Sequence, residues 1–343
     1  MIGFRVDANE KIATGHLVRC ISIATELINR NIPCIFFMAE SKEISRLEAA
    51  NIPYVILHTD WQNMESEYSV LFPLLKKYSL EWLIVDSYQI TTSYLSKLNE
   101  QLPVLYIDDM SKDIYPVSAI LCYGIWPDNT EYIEKYSQTK TKLLAGMSYT
   151  PLRKEFQNLS KSNSREKSIL ITTGGTDPYH ITKNLLTTCL ASDENSKYNY
   201  LKSFCFDIII GSMNEDEAYL KRLAMNYPQI HLHKNINNIS YYMCRNLLAV
   251  SAGGTTLLEL CACGTPTICF SFADNQIPGT QKMKQHNIML YAGDARFEPV
   301  IPNILLALEM YITNEKLRQS YASRMKQLID GNGVKRIADF LSF

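Results

Sequence analysis

Apolar residues run along this chain in two alternating rhythms. Short unbroken runs at Ile2–Val6, Cys34–Met38, Val55–Leu57, Trp82–Val85, Val104–Ile107 and Ile120–Cys122 read as strands buried on both faces. Between the first two, Leu17, Ile21, Ala24, Leu27 and Ile28 recur at three- and four-residue spacing. That spacing predicts a helix over Leu17–Asn29, with Asn31 and Pro33 punctuating its end. Strands separated by helices predict a parallel sheet with helices on both faces. Asp86 closes one apolar run and Asp108-Asp109 another, so polar groups gather at the carboxyl edge of the sheet, where such folds bind ligands.

The pattern breaks at Asn158 to Lys167, NLSKSNSREK, which has no apolar period and reads as a linker. It then restarts with strand-like runs at Ile169–Thr172, Asp207–Ile210, Ile230–Leu232, Leu247–Ser251 and Thr267–Phe270. The predicted fold is α/β, with two Rossmann-like parallel-sheet domains over residues 1–157 and 168–325. A last helix begins near Asn314, and its end, 326–343, is placed to return to the first domain. Two such domains facing a cleft would suit a small-molecule ligand.

Composition narrows the function. A formal charge of −1 over 343 residues lacks the basic excess of a general nucleic-acid binder, and 46% hydrophobic with 20% charged residues describes a soluble globular chain. Arg5, Asp7 and Lys11 interrupt any signal-peptide core, and no apolar run approaches a membrane span, so no stable membrane anchor is expected. Nine cysteines without paired spacing suit reduced thiols in a cytoplasm. Cys261-x-Cys263, the one close pair, reads as small apolar residues on a buried helix, and no metal is implied. The sequence sets no oligomeric state.

Candidate chemistry sits where strands hand over to helices. In AVSAGGTTLLELCACGTP, Gly253 and Gly254 permit close backbone approach, Thr255 or Thr256 can cap the next helix, and Glu259 lies in its first turns. A glycine pair at a helix N-terminus presents N–H groups to a phosphate, although a tight turn alone would look the same. Glu259 suits a ribose diol, or is a solvated surface residue. ITTGGTDPYHIT repeats the design with Gly174 and Gly175 ahead of Asp177-Pro178. Asn275 and Gln276, in FADNQ, carry donors and acceptors that suit a sugar, or belong to an ordinary loop. His16 follows Gly15 at the mouth of the first helix, placed either as a general base or as a packed, capping residue; Asp7 or Arg5 could orient it or bind substrate, or Asp7 could simply cap or bridge.

RVDANEKIATGHLVRC, VDSY, IDD, LITTGGTDP, SAGGTTLLELCACGTP and DNQ together resemble the PseG/SpsG family of UDP-sugar hydrolases, related to MurG-like glycosyltransferases of GT-B fold. The resemblance runs from Phe4 to about Gln276. It implies hydrolysis of UDP-2,4-diacetamido-2,4,6-trideoxy-β-L-altrose at the anomeric carbon with inversion, on a route to pseudaminic acid. UDP leaves as product and no cofactor is needed. It implies that His16 activates the water, that Tyr88 and Asn275 approach the sugar, and that Gly253, Gly254 and Glu259 hold the nucleotide. Two departures stand out. Ala13 replaces a glycine common in the family, and the segment after IDD, MSKDIYPVSAILCYGIWPDN, follows the family pattern loosely.

A GT-B glycosyltransferase acting in surface polysaccharide biosynthesis would keep the fold and the donor and put an acceptor hydroxyl in place of water. A lipid-linked acceptor should leave a basic amphipathic helix on the first domain, and LLKKYSLEW is too short and mixed to be one. A sugar-nucleotide-binding protein without activity would not need His16, Tyr88 and Asn275 together.

Overall fold

The computed structural model describes all residues except 10, 13, 126–128, 158, 160–163, 191–195 and 343. The chain divides into two compact units, Met1–Gln157 with Gly331–Phe343, and Asn158–Asp330.

The first unit holds seven strands: β1 (Ile2–Val6), β2 (Cys34–Met38), β3 (Tyr54–Ile56), β4 (Trp82–Asp86), β5 (Val104–Ile107), β6 (Ala119–Cys122) and β7 (Lys142–Ala145). Their order is β3-β2-β1-β4-β5-β6-β7, every pairing parallel. β1 and β2 are buried at every position because helices cover both sheet faces, and Phe4 stacks on Phe36 with ring centroids 4.6 Å apart. Each such aromatic or aliphatic side chain removed from water stabilises the fold by ~1.5–3 kcal/mol.

The first helix, Gly15–Asn29, buries Leu17, Cys20, Ile23, Ala24 and Leu27. It ends where Asn31 turns left-handed at φ 62°, with the Ile32 amide donating to the Leu27 carbonyl and the Asn31 amide to Ile28.

The second unit holds β8 (Glu166–Thr172), β9 (Cys205–Ile210), β10 (Ile230–Lys234), β11 (Asn246–Ala252), β12 (Thr267–Ser271) and β13 (Leu290–Asp294), ordered β10-β9-β8-β11-β12-β13 and again all parallel. Its core gathers Ile169, Ile171, Phe206, Ile208, Val250, Ile268 and Phe270 from the central strands.

Three expectations are corrected. β7 and β13 are additional strands, short and at sheet edges. β8 starts at Glu166, inside the stretch read as linker, because Glu166 pairs with Asn246 and Ser168 with Cys205; residues 158 and 160–163 of that stretch lie outside the described residues. The last helix is two helices. Glu315–Leu328 packs in the second unit against the helix Thr256–Cys263, and Gly333–Leu341 packs in the first unit against Gly15–Asn29. The break is chemical: Gly331 has φ 78°, and a side chain at Gly333 would collide with the Thr150 carbonyl. Val334, Ile337, Ala338 and Leu341 bury one face of the second of these helices, and Arg30 donates to Asp339 at 2.6 Å beside it.

Candidate active site

In the first sheet the chain reverses direction of growth between β1 and β4, which lie side by side. At such a switch point the following loops run to opposite faces and leave a crevice at the carboxyl edge. The loop after β1 leads into Gly15–Asn29, and β4 ends at Asp86. His16, in the first turn of that helix, and Asp86 therefore meet at this point. His16 Nδ1 lies 2.5 Å from Asp86 Oδ1, and both side chains are buried.

Arg19, one turn further along the helix, completes the group. Its Nε donates to Asp86 Oδ2 and its NH2 to Oδ1, each at 2.6 Å, while NH1 donates to Tyr123 Oη at 2.6 Å and to Asp109 Oδ2 at 3.0 Å. Tyr88 donates its hydroxyl to the same Asp109 oxygen at 2.9 Å and sets its ring edge-on to His16, centroids 4.5 Å apart. Burial alone would raise the Asp86 pKa, but the Arg19 guanidinium and His16 outweigh it and hold the carboxyl well below the usual range. Asp86 is thus an acceptor only. Nδ1–H of His16 donates to it, and the 3.0 Å approach of Arg19 NH2 to Nδ1 is two donors sharing one carboxylate oxygen. Among the described residues nothing bonds His16 Nε2, which leaves that nitrogen's lone pair for a proton. Burial and Asp109 push the Tyr88 phenol up, so Tyr88 stays protonated, and burial lifts Tyr123 to about 12.

Sequence reasoning found His16 and Tyr88 but not Arg19, Asp86, Asp109 or Tyr123 as one assembly. Arg19 stands one helical turn after His16, and VDSY and IDD follow strands at the same edge; that spacing was the available signal. Asp108, next to Asp109, orders its own loop by accepting from the Met110 and Ser111 amides. Tyr123 comes from the segment after IDD, which therefore feeds this site. Ala13 lies outside the described residues. Gly15 opens the helix with open space around it.

Arg5 and Asp7 are corrections. Arg5 is fully buried, its Nε and NH2 on Glu67 at 2.8 and 2.7 Å and its NH1 on Asp7 at 2.5 Å. The other Asp7 oxygen accepts from the Ala39 amide at 2.7 Å, and Tyr94 donates to Glu67 at 2.5 Å. The Arg5 charge is met by Glu67 and Asp7 inside the fold, and neither side chain bonds His16, whose partner is Asp86.

The second unit gathers its candidates at the carboxyl ends of three neighbouring strands: Gly174-Gly175 after β8, Gly253-Gly254 after β11, and Asn275-Gln276 after β12. The switch point of this sheet lies between β8 and β11. Gly253 sits against Gln276 and Thr280, leaving no room for a side chain, and Gly254 has φ 148°. Thr255 occupies the N-cap position of Thr256–Cys263, but its side chain makes no capping bond, contrary to expectation. The Gly253 amide donates to the Phe270 carbonyl at 2.8 Å, and the first intrahelical bonds run from Leu257 to the Gly254 carbonyl and from Leu258 to Thr255, so among the described residues the amides of Gly254, Thr255 and Thr256 are the ones without a backbone partner at this turn. Glu259 is half-buried in the first turn. Gln276 accepts from the Phe272 amide at 2.9 Å, a structural task, while Asn275 beside it is exposed.

The Gly174-Gly175 turn differs from the one at Gly253-Gly254. Gly174 has φ 83°, and both glycines are exposed. The helix behind them, Ile181–Leu190, already has its N-terminus filled, because Asp177 accepts from the Ile181 and Thr182 amides at 2.9 Å each. That helix end is not vacant for an anion.

No protein-family model matches the chain. It is 23% identical over 348 residues to the spore coat polysaccharide biosynthesis protein SpsG of Bacillus subtilis, covering 99% of this chain and 97% of that one. It is 28% identical over 253 residues to the UDP-2,4-diacetamido-2,4,6-trideoxy-beta-L-altropyranose hydrolase of Campylobacter jejuni, covering 73% and 84%. It is 26% identical over 284 residues to the uncharacterized protein MJ1062 of Methanocaldococcus jannaschii, covering 78% of this chain but about half, 54%, of that longer protein. Among solved structures it resembles MurG of Acinetobacter baumannii, TM-score 0.69 at 12% identity over 99% of both chains. It also resembles the calicheamicin glycosyltransferase CalG4, TM-score 0.64 at 13% identity over 99% and 97%. The fold is GT-B. The relatives at the sequence level agree with the resemblance carried by the motifs. No helix among the described residues is long and apolar enough to cross a membrane.

Proposed function

We propose that this GT-B protein is a cytoplasmic hydrolase of a UDP-activated 2,4-diacetamido-2,4,6-trideoxy sugar, acting at the anomeric carbon with inversion and releasing UDP and the free sugar for a nonulosonate of the pseudaminic acid type. The observation that carries the reading is the buried His16–Asp86 pair, 2.5 Å apart at the switch point of the first sheet. The name of the Campylobacter jejuni relative supports the substrate class.

Chemically, water attacks the anomeric carbon and gives a proton to His16 Nε2, while the bond from that carbon to the phosphate oxygen breaks and its electron pair leaves with UDP. Asp86 keeps the Nδ1–H tautomer and balances the imidazolium that forms, a general-base step worth ~10²–10⁴-fold. Tyr88, with its hydroxyl proton on Asp109, offers its oxygen lone pairs to N–H or O–H groups of the sugar, and Asn275 offers both donors and acceptors. The amides that follow Gly253, from Gly254 to Thr256, stabilise the departing diphosphate, and Glu259 takes the ribose. UDP is a stable leaving group, so its departure calls for neither a strong acid nor a metal.

The glycosyltransferase reading keeps every residue but delivers an acceptor hydroxyl to His16; it draws on the fold shared with MurG and CalG4. Incubation with UDP-2,4-diacetamido-2,4,6-trideoxy-β-L-altrose, without acceptor, followed by NMR, separates the two. Release of UDP and free sugar, first seen as the inverted anomer, is the expected result. Binding without release favours the transferase, and absence of binding rejects the sugar assignment.

A further inference from the structure

The second unit contains a histidine–aspartate pair of its own at the carboxyl edge of its sheet. His180 lies in the loop after β8, the first strand of its sheet, as His16 lies after β1. Its Nδ1 is 2.6 Å from Oδ2 of Asp216, which sits in the loop after the neighbouring strand β9. His180 holds φ 54°, a left-handed backbone uncommon for a residue with a side chain; such outliers collect at functional sites. Its amide donates to the Asp177 carbonyl at 3.0 Å, and the Asn214 side chain accepts from the Asp216 amide at 2.9 Å, so both members of the pair are fixed by their loops. Lys183 adds its ammonium 3.5 Å from the other Asp216 oxygen. Despite these anchors the imidazole is 45% exposed.

The same β9 loop ties this pair to the glycine turn. The Met213 amide donates to the Gly175 carbonyl at 2.9 Å, and Gly211 lies so close beneath Gly174 and Gly175 that no side chain fits between them. On the other side, the Tyr179 ring lies 6.4 Å from Phe272, whose amide is held by Gln276, the residue packed on Gly253. His180 is thereby part of the carboxyl edge that carries both glycine turns. Because Asp177 fills the N-terminus of Ile181–Leu190, an anion at Gly174-Gly175 needs a donor other than that helix, and His180 and the Lys183 ammonium, both on Asp216, are side-chain donors on the segment that follows the turn.

We propose that His180, held by Asp216, is a phosphate-contacting residue for the nucleoside diphosphate, donating from Nε2 to a phosphate oxygen. This rests on the UDP-sugar reading and adds to it a side-chain donor for the leaving group.

The test is calorimetric titration of the full chain with UDP and with uridine, which keeps the base and ribose but lacks phosphate. His180→Gln is expected to weaken UDP about 10- to 100-fold, the loss of one charge-assisted hydrogen bond, and to leave uridine unchanged. Asp216→Asn, which frees the ring to rotate, is expected to weaken UDP by a smaller factor and again to spare uridine. Unchanged UDP affinity in His180→Gln overturns this inference alone. Equal loss of UDP and uridine assigns His180 to folding of the loop and also overturns it. A wild-type protein that binds no UDP overturns the UDP-sugar reading and this inference with it.

Discussion

Arg19 grips Asp86 with two parallel hydrogen bonds, Nε to Oδ2 and NH2 to Oδ1, both 2.6 Å, although the residues stand 67 positions apart on the first helix and at the end of β4. The same carboxylate takes Nδ1–H of His16. One buried anion thus fixes the helix to the sheet and selects the tautomer of the histidine, so stability and proposed chemistry draw on the same contact.

Arg19→Met should therefore destabilise the protein by ~3–5 kcal/mol, because it strands a buried carboxylate and leaves Tyr123 and Asp109 without their cation. Arg19→Lys keeps a charge but loses the planar fork and should recover only part of this. Urea unfolding followed by circular dichroism measures both. A loss under ~1 kcal/mol for Arg19→Met would put the pair among the weak surface bridges.

The depressed pKa of Asp86 has a definite sign in pH. A carboxyl held lower in the folded than in the unfolded chain adds stability that is fully present above its unfolded value, ~3.9, and is lost as pH falls toward the folded value. The stability gap between wild type and Asp86→Asn should narrow as pH falls below about pH 4. Unfolding free energies collected at a series of pH values below about 5 decide it; a gap that widens below about pH 4 would contradict the assignment.

On the proposed reaction, His16→Asn should lower kcat by ~10²–10⁴-fold while leaving UDP affinity within error, since the general base acts on the water and not on the nucleotide. Asp86→Asn should lower kcat as well, because an amide no longer dictates which ring nitrogen carries the proton. Steady-state release of UDP together with calorimetric binding provides the check. Full turnover in His16→Asn would remove the histidine from the mechanism.

The sheets were legible because their central strands are continuous apolar runs, and so were the glycine turns that follow them. β7 and β13 escaped notice as short edge strands, KLLA behind a lysine and LYAGD broken by a glycine, with half-buried residues in place of an apolar run. The side-chain partnerships were the least legible part. Arg5 and Asp7 stand in β1 and just after it, as a ligand-binding pair would, and only the fold brings Glu67 and Tyr94 over to consume them. Arg19 falls within the predicted first helix with nothing in its linear neighbourhood to mark it, and it is β4 and the turn after β5 that place two carboxylates against it. Linear spacing records which edge of the sheet a residue occupies; it does not record which of several charges there will pair.

Gly253 provides the last test, since its lack of a side chain is required by packing. A β-carbon there would lie 2.8 Å from Gln276 Cβ and 2.9 Å from Thr280 Cγ2. Neither neighbour can yield easily. Gln276 Oε1 holds the Phe272 amide at 2.9 Å, and the Thr280 hydroxyl is buried on Ser271 at 2.9 Å. Gly253→Ala should cost ~1–3 kcal/mol and push the Asn275-Gln276 turn away from the glycine turn, so UDP affinity should fall along with the melting temperature. Gly15→Ala makes the contrast within the same fold: a β-carbon there meets nothing within 4 Å, and alanine is the better helix former, so its melting temperature should hold or rise. Thermal unfolding of the two variants side by side tests the packing argument, and equal melting temperatures would refute it.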